Sequence, residues 1–170
     1  MSDRIRLSKN FYLDEFTASE TARRLGIDMS LDNESLVLSR LTYLAENVLQ
    51  PLRDALGPVV ITSGYRPLAL NKKIGGAENS AHLFGSAADI RVPGKTTLEV
   101  AEWIAENISN FDQVINEHDS WVHVGVTFNQ QPREQSLTAI SIAGVYRSKT
   151  VYIPGLFDVF SARLEYLKGL

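Results

Sequence analysis

Hydrophobic residues recur along this chain with two periods, and the change of period divides it. In the first third, Val37, Leu41, Leu44 and Val48 follow four-three-four spacing, one stripe of a helix that begins near Asp32 or Asn33. Pro51 need not end that helix, whereas Gly57-Pro58 does. A shorter helix precedes it: Thr17-Ala18-Ser19-Glu20 reads as a capping box, and Gly26 suits the position just past the last turn. Phe11, Leu13 and Phe16 are apolar anchors ahead of it.

The middle third shifts toward strand patterning. Val59–Thr62 is short and β-branched and reads as a buried strand, while residues 64–81, rich in Gly, Asn, Ser and Ala, read as a long functional loop. Ser86–Val92 reads as a strand. Thr96-Thr97-Leu98-Glu99 is a second capping box, opening a helix with Val100, Ala101, Ile104, Ala105 and Ile108 inward. Asp112–Glu117 and Trp121–Thr127 then read as a hairpin joined by His118-Asp119-Ser120. In the last third, Leu137–Ala143 and Ser148–Ile153 read as strands with Gly144 at a turn. Pro154-Gly155 breaks the chain, and Phe157–Leu167 reads as a closing helix, with a membrane-surface helix as the weaker alternative. Together these elements predict one α+β domain with a helical part (1–57), a core (58–127) and C-terminal strands with a closing helix (128–170).

Composition narrows the function classes. A net charge of −3, with no basic block, argues against a nucleic-acid binder. The absence of cysteine excludes disulfides, thiol catalysis and a thiolate-type structural zinc site. No run approaches the roughly 20 apolar residues of a spanning helix. The first residues lack the apolar segment of a secretory signal, so the expected product is made in the cytoplasm.

The candidate chemistry sits where the strands are predicted. Alternation puts Ala87, Asp89 and Arg91 on one face of their strand. In the hairpin, Val122, Val124 and Val126 form an apolar face, so Trp121 and His123 point the other way. A three-residue connection sets Glu117 opposite Trp121 and Ile115 opposite His123, which makes Glu117 and His123 diagonal neighbours about 7–8 Å apart at Cα. With His82, this is a set of nitrogen and oxygen donors suited to a zinc ion with one open position, and Glu117 is the candidate base. Each residue also has a plainer reading: a half-buried strand histidine, a capping aspartate, a solvated hairpin glutamate, a loop cation at Arg66. Spacing alone does not decide between the two.

At these residues the chain resembles the zinc peptidases of the hedgehog/D-alanyl-D-alanine carboxypeptidase family, and small phage and prophage members most of all. The match runs from Ser63-Gly64-Tyr65-Arg66 through Ser80-Ala81-His82-Leu83-Phe84-Gly85-Ser86-Ala87-Ala88-Asp89 to Trp121-Val122-His123. It extends upstream through Phe16 and the Leu49–Arg53 segment, and downstream to Tyr152–Leu156. The resemblance implies a mainly antiparallel sheet with the N-terminal helices packed on one face, the hedgehog/DD-peptidase fold. It makes His82, Asp89 and His123 the ligands of one Zn2+. Glu117 becomes the base, with His118 and Asp119 as rivals, because Ser120 stands where many relatives carry a carboxylate. Arg66 becomes a catalytic and substrate-binding cation, with Ser80 and Trp121 also touching substrate. The implied activity is hydrolysis of the peptide part of bacterial peptidoglycan, as a carboxypeptidase or an endopeptidase, in a phage endolysin or virion protein delivered with a holin or with the particle. The site of action would then be the cell wall or periplasm. The alternatives it leaves are a zinc-stabilised binding module without activity and a virion structural protein.

Overall fold

The computed structural model describes residues 4–31, 35–144 and 148–169. Two short helices, α1 (Leu13–Thr17) and α2 (Glu20–Leu25), open the chain. Thr17 ends α1 rather than capping α2. The cap is Ser19, whose hydroxyl accepts from the Ala22 N–H, and Gly26 closes α2 in the left-handed region. The long helix is α3 (Leu36–Leu44), continued by a π-helical turn (Ala45–Leu49) into α4 (Gln50–Leu56). Its cap is Ser35; the expected start at Asp32 or Asn33 lies outside the described residues. The π turn explains how the helix passes Pro51. That residue has no N–H to donate, and its ring would collide with the carbonyl four residues back in a regular helix.

The strands are β1 (Val60–Ser63), β2 (Ala87–Arg91), β3 (Phe111–Glu117), β4 (Trp121–Val126), β5 (Gln135–Ile142) and β6 (Lys149–Pro154). They form one six-stranded sheet in the order β1-β2-β4-β3-β5-β6. All neighbours are antiparallel except β3 and β5, which run parallel. Because β4 ends where β3 begins, a short link brings the chain back to start β5 alongside β3, and no crossover helix is needed.

Two expectations fail here. The Val59–Thr62 segment is not a buried strand: β1 is an edge strand, and Val60 is 47% exposed. Residues 64–81 are not a plain loop, since α5 (Leu68–Lys73) anchors them through buried Leu70 and Asn71, and a 3-10 turn (Ala81–Phe84) follows. Composition concealed α5, because Leu68 and Ala69 are exposed along with the two lysines, and one of its two buried side chains is the polar Asn71.

One face of the sheet is covered. Ala88, Ile90, Val114, Val122, Val124 and Val126 share a single core with Leu41, Leu44, Val48 and Leu52 of the long helix. The same core takes Val100, Ala101 and Ile104 of α6 (Thr97–Asn107), whose capping box Thr96…Glu99 forms as the sequence predicts. The closing helix α7 (Val159–Lys168) packs Ala162 against Ile140 and Ile153. Burying one such aliphatic side chain is worth about 1.5–3 kcal/mol. The residues facing the other way on the same strands are therefore free to carry chemistry. Among the described residues, no helix is long and apolar enough to cross a membrane.

Candidate metal centre

The uncovered face bears a grid of side chains set by strand register. Asp89 on β2 pairs with His123 on β4, which pairs with Ile115 on β3, which pairs with Leu137 on β5. The neighbouring row runs from Trp121 to Glu117 to Ala139 to Tyr152. The sequence-based pairings Glu117–Trp121 and Ile115–His123 are both observed. His82 arrives from a different element, the 3-10 turn, and is 1% exposed.

Two glycines make that arrival possible. A Cβ on Gly64 would sit 2.4 Å from the Phe16 carbonyl oxygen. With none there, the end of β1 presses against α1, and the Gly64 carbonyl accepts a 2.7 Å hydrogen bond from His82 Nδ1. Gly85 ends the 3-10 turn at φ 68°, where a Cβ would lie 2.7 Å from the Val37 carbonyl oxygen.

The bond to Gly64 determines the tautomer. A carbonyl only accepts, so Nδ1 carries the proton and the Nε2 lone pair faces inward. His82 Nε2 lies 3.2 Å from Asp89 Oδ1 and 3.2 Å from His123 Nδ1, and His123 Nδ1 lies 2.9 Å from Asp89 Oδ1. His82 Nε2 and Asp89 Oδ1 are both acceptors, and two acceptors this close repel one another unless a cation or a proton sits between them. Tetrahedral zinc, at about 2.0–2.1 Å from each donor, holds its ligand atoms about 3.3 Å apart. The donor set and its spacing thus fit a metal ion, and among the described residues this is the one group of three acidic or histidine side chains so arranged.

The surroundings tune each member. Burial holds the His82 imidazole below its usual pKa, keeping it neutral as a ligand must be, although Asp89 pulls the other way. Burial also works against an ionised Asp89, but the two imidazoles of His123 and His82 beside it outweigh burial and hold the carboxyl far below the usual range. The second oxygen of Asp89 faces Arg66 Nη2 at 3.4 Å. Burial lowers the Arg66 guanidinium, opposed by the negative charges of Asp89 and Glu117. Glu117 is raised by burial and by Asp89, against the counter-effects of His123, His118 and Arg66. A half-buried carboxyl raised in this way is suited to exchanging a proton.

Every sequence-derived candidate lines this cleft of about 580 Å³: Arg66, Ser80, His82, Asp89, Glu117, Trp121 and His123. The rivals for the base are elsewhere. Asp119 accepts hydrogen bonds from Asn116 Nδ2 (2.7 Å) and the Val159 N–H (2.9 Å), and lies along the opposite cleft. His118 stacks edge-on against Trp121. Sequence reasoning missed Tyr152, Leu137 and Arg133, which also line the cleft. Alternation in Val151-Tyr152-Ile153 shows that Tyr152 faces away from the core, but its neighbour across the sheet depends on the parallel β3–β5 pairing, which no local signal announces.

A half-covered sheet with two histidines, an aspartate and a nearby carboxyl is an arrangement suited to a metal-dependent hydrolase. The comparisons with known proteins agree with that class. Residues 9–125 match the Peptidase M15 family, and the chain belongs to it. The match ends before the Tyr152–Leu156 segment to which the resemblance was traced. A stretch of 44 residues is 43% identical to the zinc D-Ala-D-Ala carboxypeptidase of Streptomyces albus G, covering 25% of this chain and 17% of that protein.

Proposed function

We propose that this protein is a zinc-dependent peptidase acting on the peptide part of bacterial peptidoglycan. The observation that carries the reading is the donor triangle of His82, Asp89 and His123, with Glu117 one diagonal step along the same sheet face. Family membership and the name of the Streptomyces relative support the reaction and the substrate class.

His82 through Nε2, Asp89 through Oδ1 and His123 through Nδ1 would hold the ion. Zinc in such a site supplies Lewis acidity, polarising a carbonyl and making water acidic enough to attack near neutral pH. The remaining steps fall to side chains. Glu117 accepts the proton of the attacking water, and its raised pKa lets it hold that proton until the amine leaves. It then delivers the proton to the leaving nitrogen, which keeps the two half-reactions in balance. Among the described residues the Arg66 guanidinium hydrogen-bonds Asp89 through Nη2 alone, which leaves other donors for a substrate carboxylate or carbonyl. Ser80 hydrogen-bonds the substrate from the cleft rim, and Trp121 forms a wall beside Glu117. The Gly64 carbonyl and Arg66 act from behind the donors, fixing the orientation of His82 and Asp89.

The resemblance to phage and prophage peptidases extends the proposal to a lytic role, with one zinc per chain and delivery by a holin or a particle. The test combines metal content with digestion of purified sacculi by wild type and Glu117→Ala. Zinc at one equivalent with cleavage that vanishes in the variant supports the reading. Zinc without any peptide product points to a binding module, and undiminished cleavage by Glu117→Ala removes Glu117 from its role.

A further inference from the structure

The cleft does not stop at the zinc-type donors. Past Glu117 the sheet floor continues across β3 and β5 as Ile115, Leu137 and Ala139, which are 4%, 7% and 0% exposed and form a small apolar cluster of their own. Over this floor stands Tyr152 from β6, the last strand, in the same register row as Glu117. Four strand spacings separate β6 from β2, about 19 Å at the usual distance between strands. Tyr152 nevertheless lines one cleft with Asp89, and the charges of both Glu117 and Asp89, after burial, make its phenol harder to ionise. Tyr152 pairs in register with Ala139, whose small side chain leaves room for the ring on the cleft side.

The polar groups along this side of the cleft are otherwise engaged. Arg133 is paired with Asp112 through both its Nε and its Nη2. Gln113 donates to Gln135 at 2.7 Å. The Tyr152 hydroxyl has no hydrogen-bond partner among the described residues, and the residue as a whole is half exposed, at 50%. A peptide lying across β3 and β5 offers carbonyl oxygens at every residue, and a neutral phenol is a donor for one of them.

We propose that Tyr152 is a substrate-contacting residue of this site, its hydroxyl donating a hydrogen bond to a peptide carbonyl on the β5–β6 side of the scissile bond, opposite Arg66. The proposal rests on the peptidase reading. It adds a contact from residues after the stretch that matches the family.

The test uses zinc-loaded, full-length protein carrying Tyr152→Phe, which removes only the hydroxyl. The expected kcat/KM on defined muropeptides falls about tenfold, the worth of one hydrogen bond, while zinc content and Tm match wild type. A second measurement is independent of turnover: the Kd of zinc-loaded Glu117→Gln for a synthetic pentapeptide ending in D-alanyl-D-alanine, with and without Tyr152→Phe. Weakening by about tenfold supports the contact. An active wild type whose Tyr152→Phe variant keeps both constants overturns the Tyr152 proposal and leaves the peptidase reading standing. A wild type that loads zinc and binds the pentapeptide but cleaves nothing overturns the peptidase reading, and Kd alone then judges Tyr152. Absence of both cleavage and binding overturns both.

Discussion

Two clefts open beside the same strands, and the convergent metal-type donors line the smaller one. The cleft on the helix-covered face has a volume of about 740 Å³ and is lined by Val60, Ile90, Val92, Val100 and Val122. The cleft on the bare face is smaller, about 580 Å³, and is lined by Asp89, His123 and Glu117 with His82 above them. Ile90 and Asp89 are consecutive, as are Val122 and His123, so strand alternation alone sends one to each side. Size does not mark the site. Convergent donors with unmet lone pairs do, and only the smaller cleft has them.

The largest effect is expected from His82→Ala or Asp89→Ala. Either one opens the donor triangle, so zinc content measured by mass spectrometry falls from one equivalent toward none and cleavage of sacculi is lost. Glu117→Gln is expected to keep the metal and lower kcat by about 100- to 10,000-fold, the usual worth of a general acid–base group. A variant that loses both metal and activity would move Glu117 from base to ligand.

Gly64→Ala tests the support behind the donors. Its added Cβ meets the Phe16 carbonyl at 2.4 Å, so the Gly64 carbonyl must shift away from His82 Nδ1. Zinc affinity in chelator competition should fall about 10- to 100-fold, as when a group behind a ligand is disturbed. At the sheet edge, Val60→Ser in the larger cleft should leave kcat/KM unchanged and shift stability by no more than about 0.5 kcal/mol, since Val60 is a half-exposed edge residue. A loss of activity there would show that the two clefts communicate.

The smallest effect is a pH dependence of stability in metal-free protein. Burial raises the pKa of folded Glu117, so between the unfolded and folded values the unfolded chain releases this proton first. Its ionisation therefore costs stability as pH rises, and the cost persists above the folded pKa. Metal-free Glu117→Gln should melt above wild type at pH 7, with the difference closing below about pH 4, where both states of the wild type hold the proton. A difference independent of pH would mean that packing and not charge separates the two proteins.

The long helix, α6 and the β3–β4 hairpin were legible because each has a local signal: four-three-four spacing in Val37–Val48, a capping box at Thr96, alternation in Trp121–Val126; α1, read only as apolar anchors, was not. The pairing of Glu117 with Trp121 followed from loop length alone. Residues 64–81 misled, because α5 buries only Leu70 and Asn71 and so carries too little periodicity to be seen. The edge position of β1 was hidden as well. A β-branched run looks the same whether one neighbour or two pair with it, and only the sheet order decides.

Residue identity and spacing by themselves determined which side chains this protein can offer to a metal and which face of each strand they occupy, because alternation is a property of the extended backbone. Tertiary structure decided whether they meet. The distance of 3.2 Å between His82 and His123, 41 residues apart, depends on Gly64 packing against Phe16 and Gly85 against Val37. The placement of Tyr152 in the row of Glu117 depends on a parallel pairing between β3 and β5. Both are contacts between segments distant along the chain. Such contacts are set by the closing of a common core, and no local pattern encodes them.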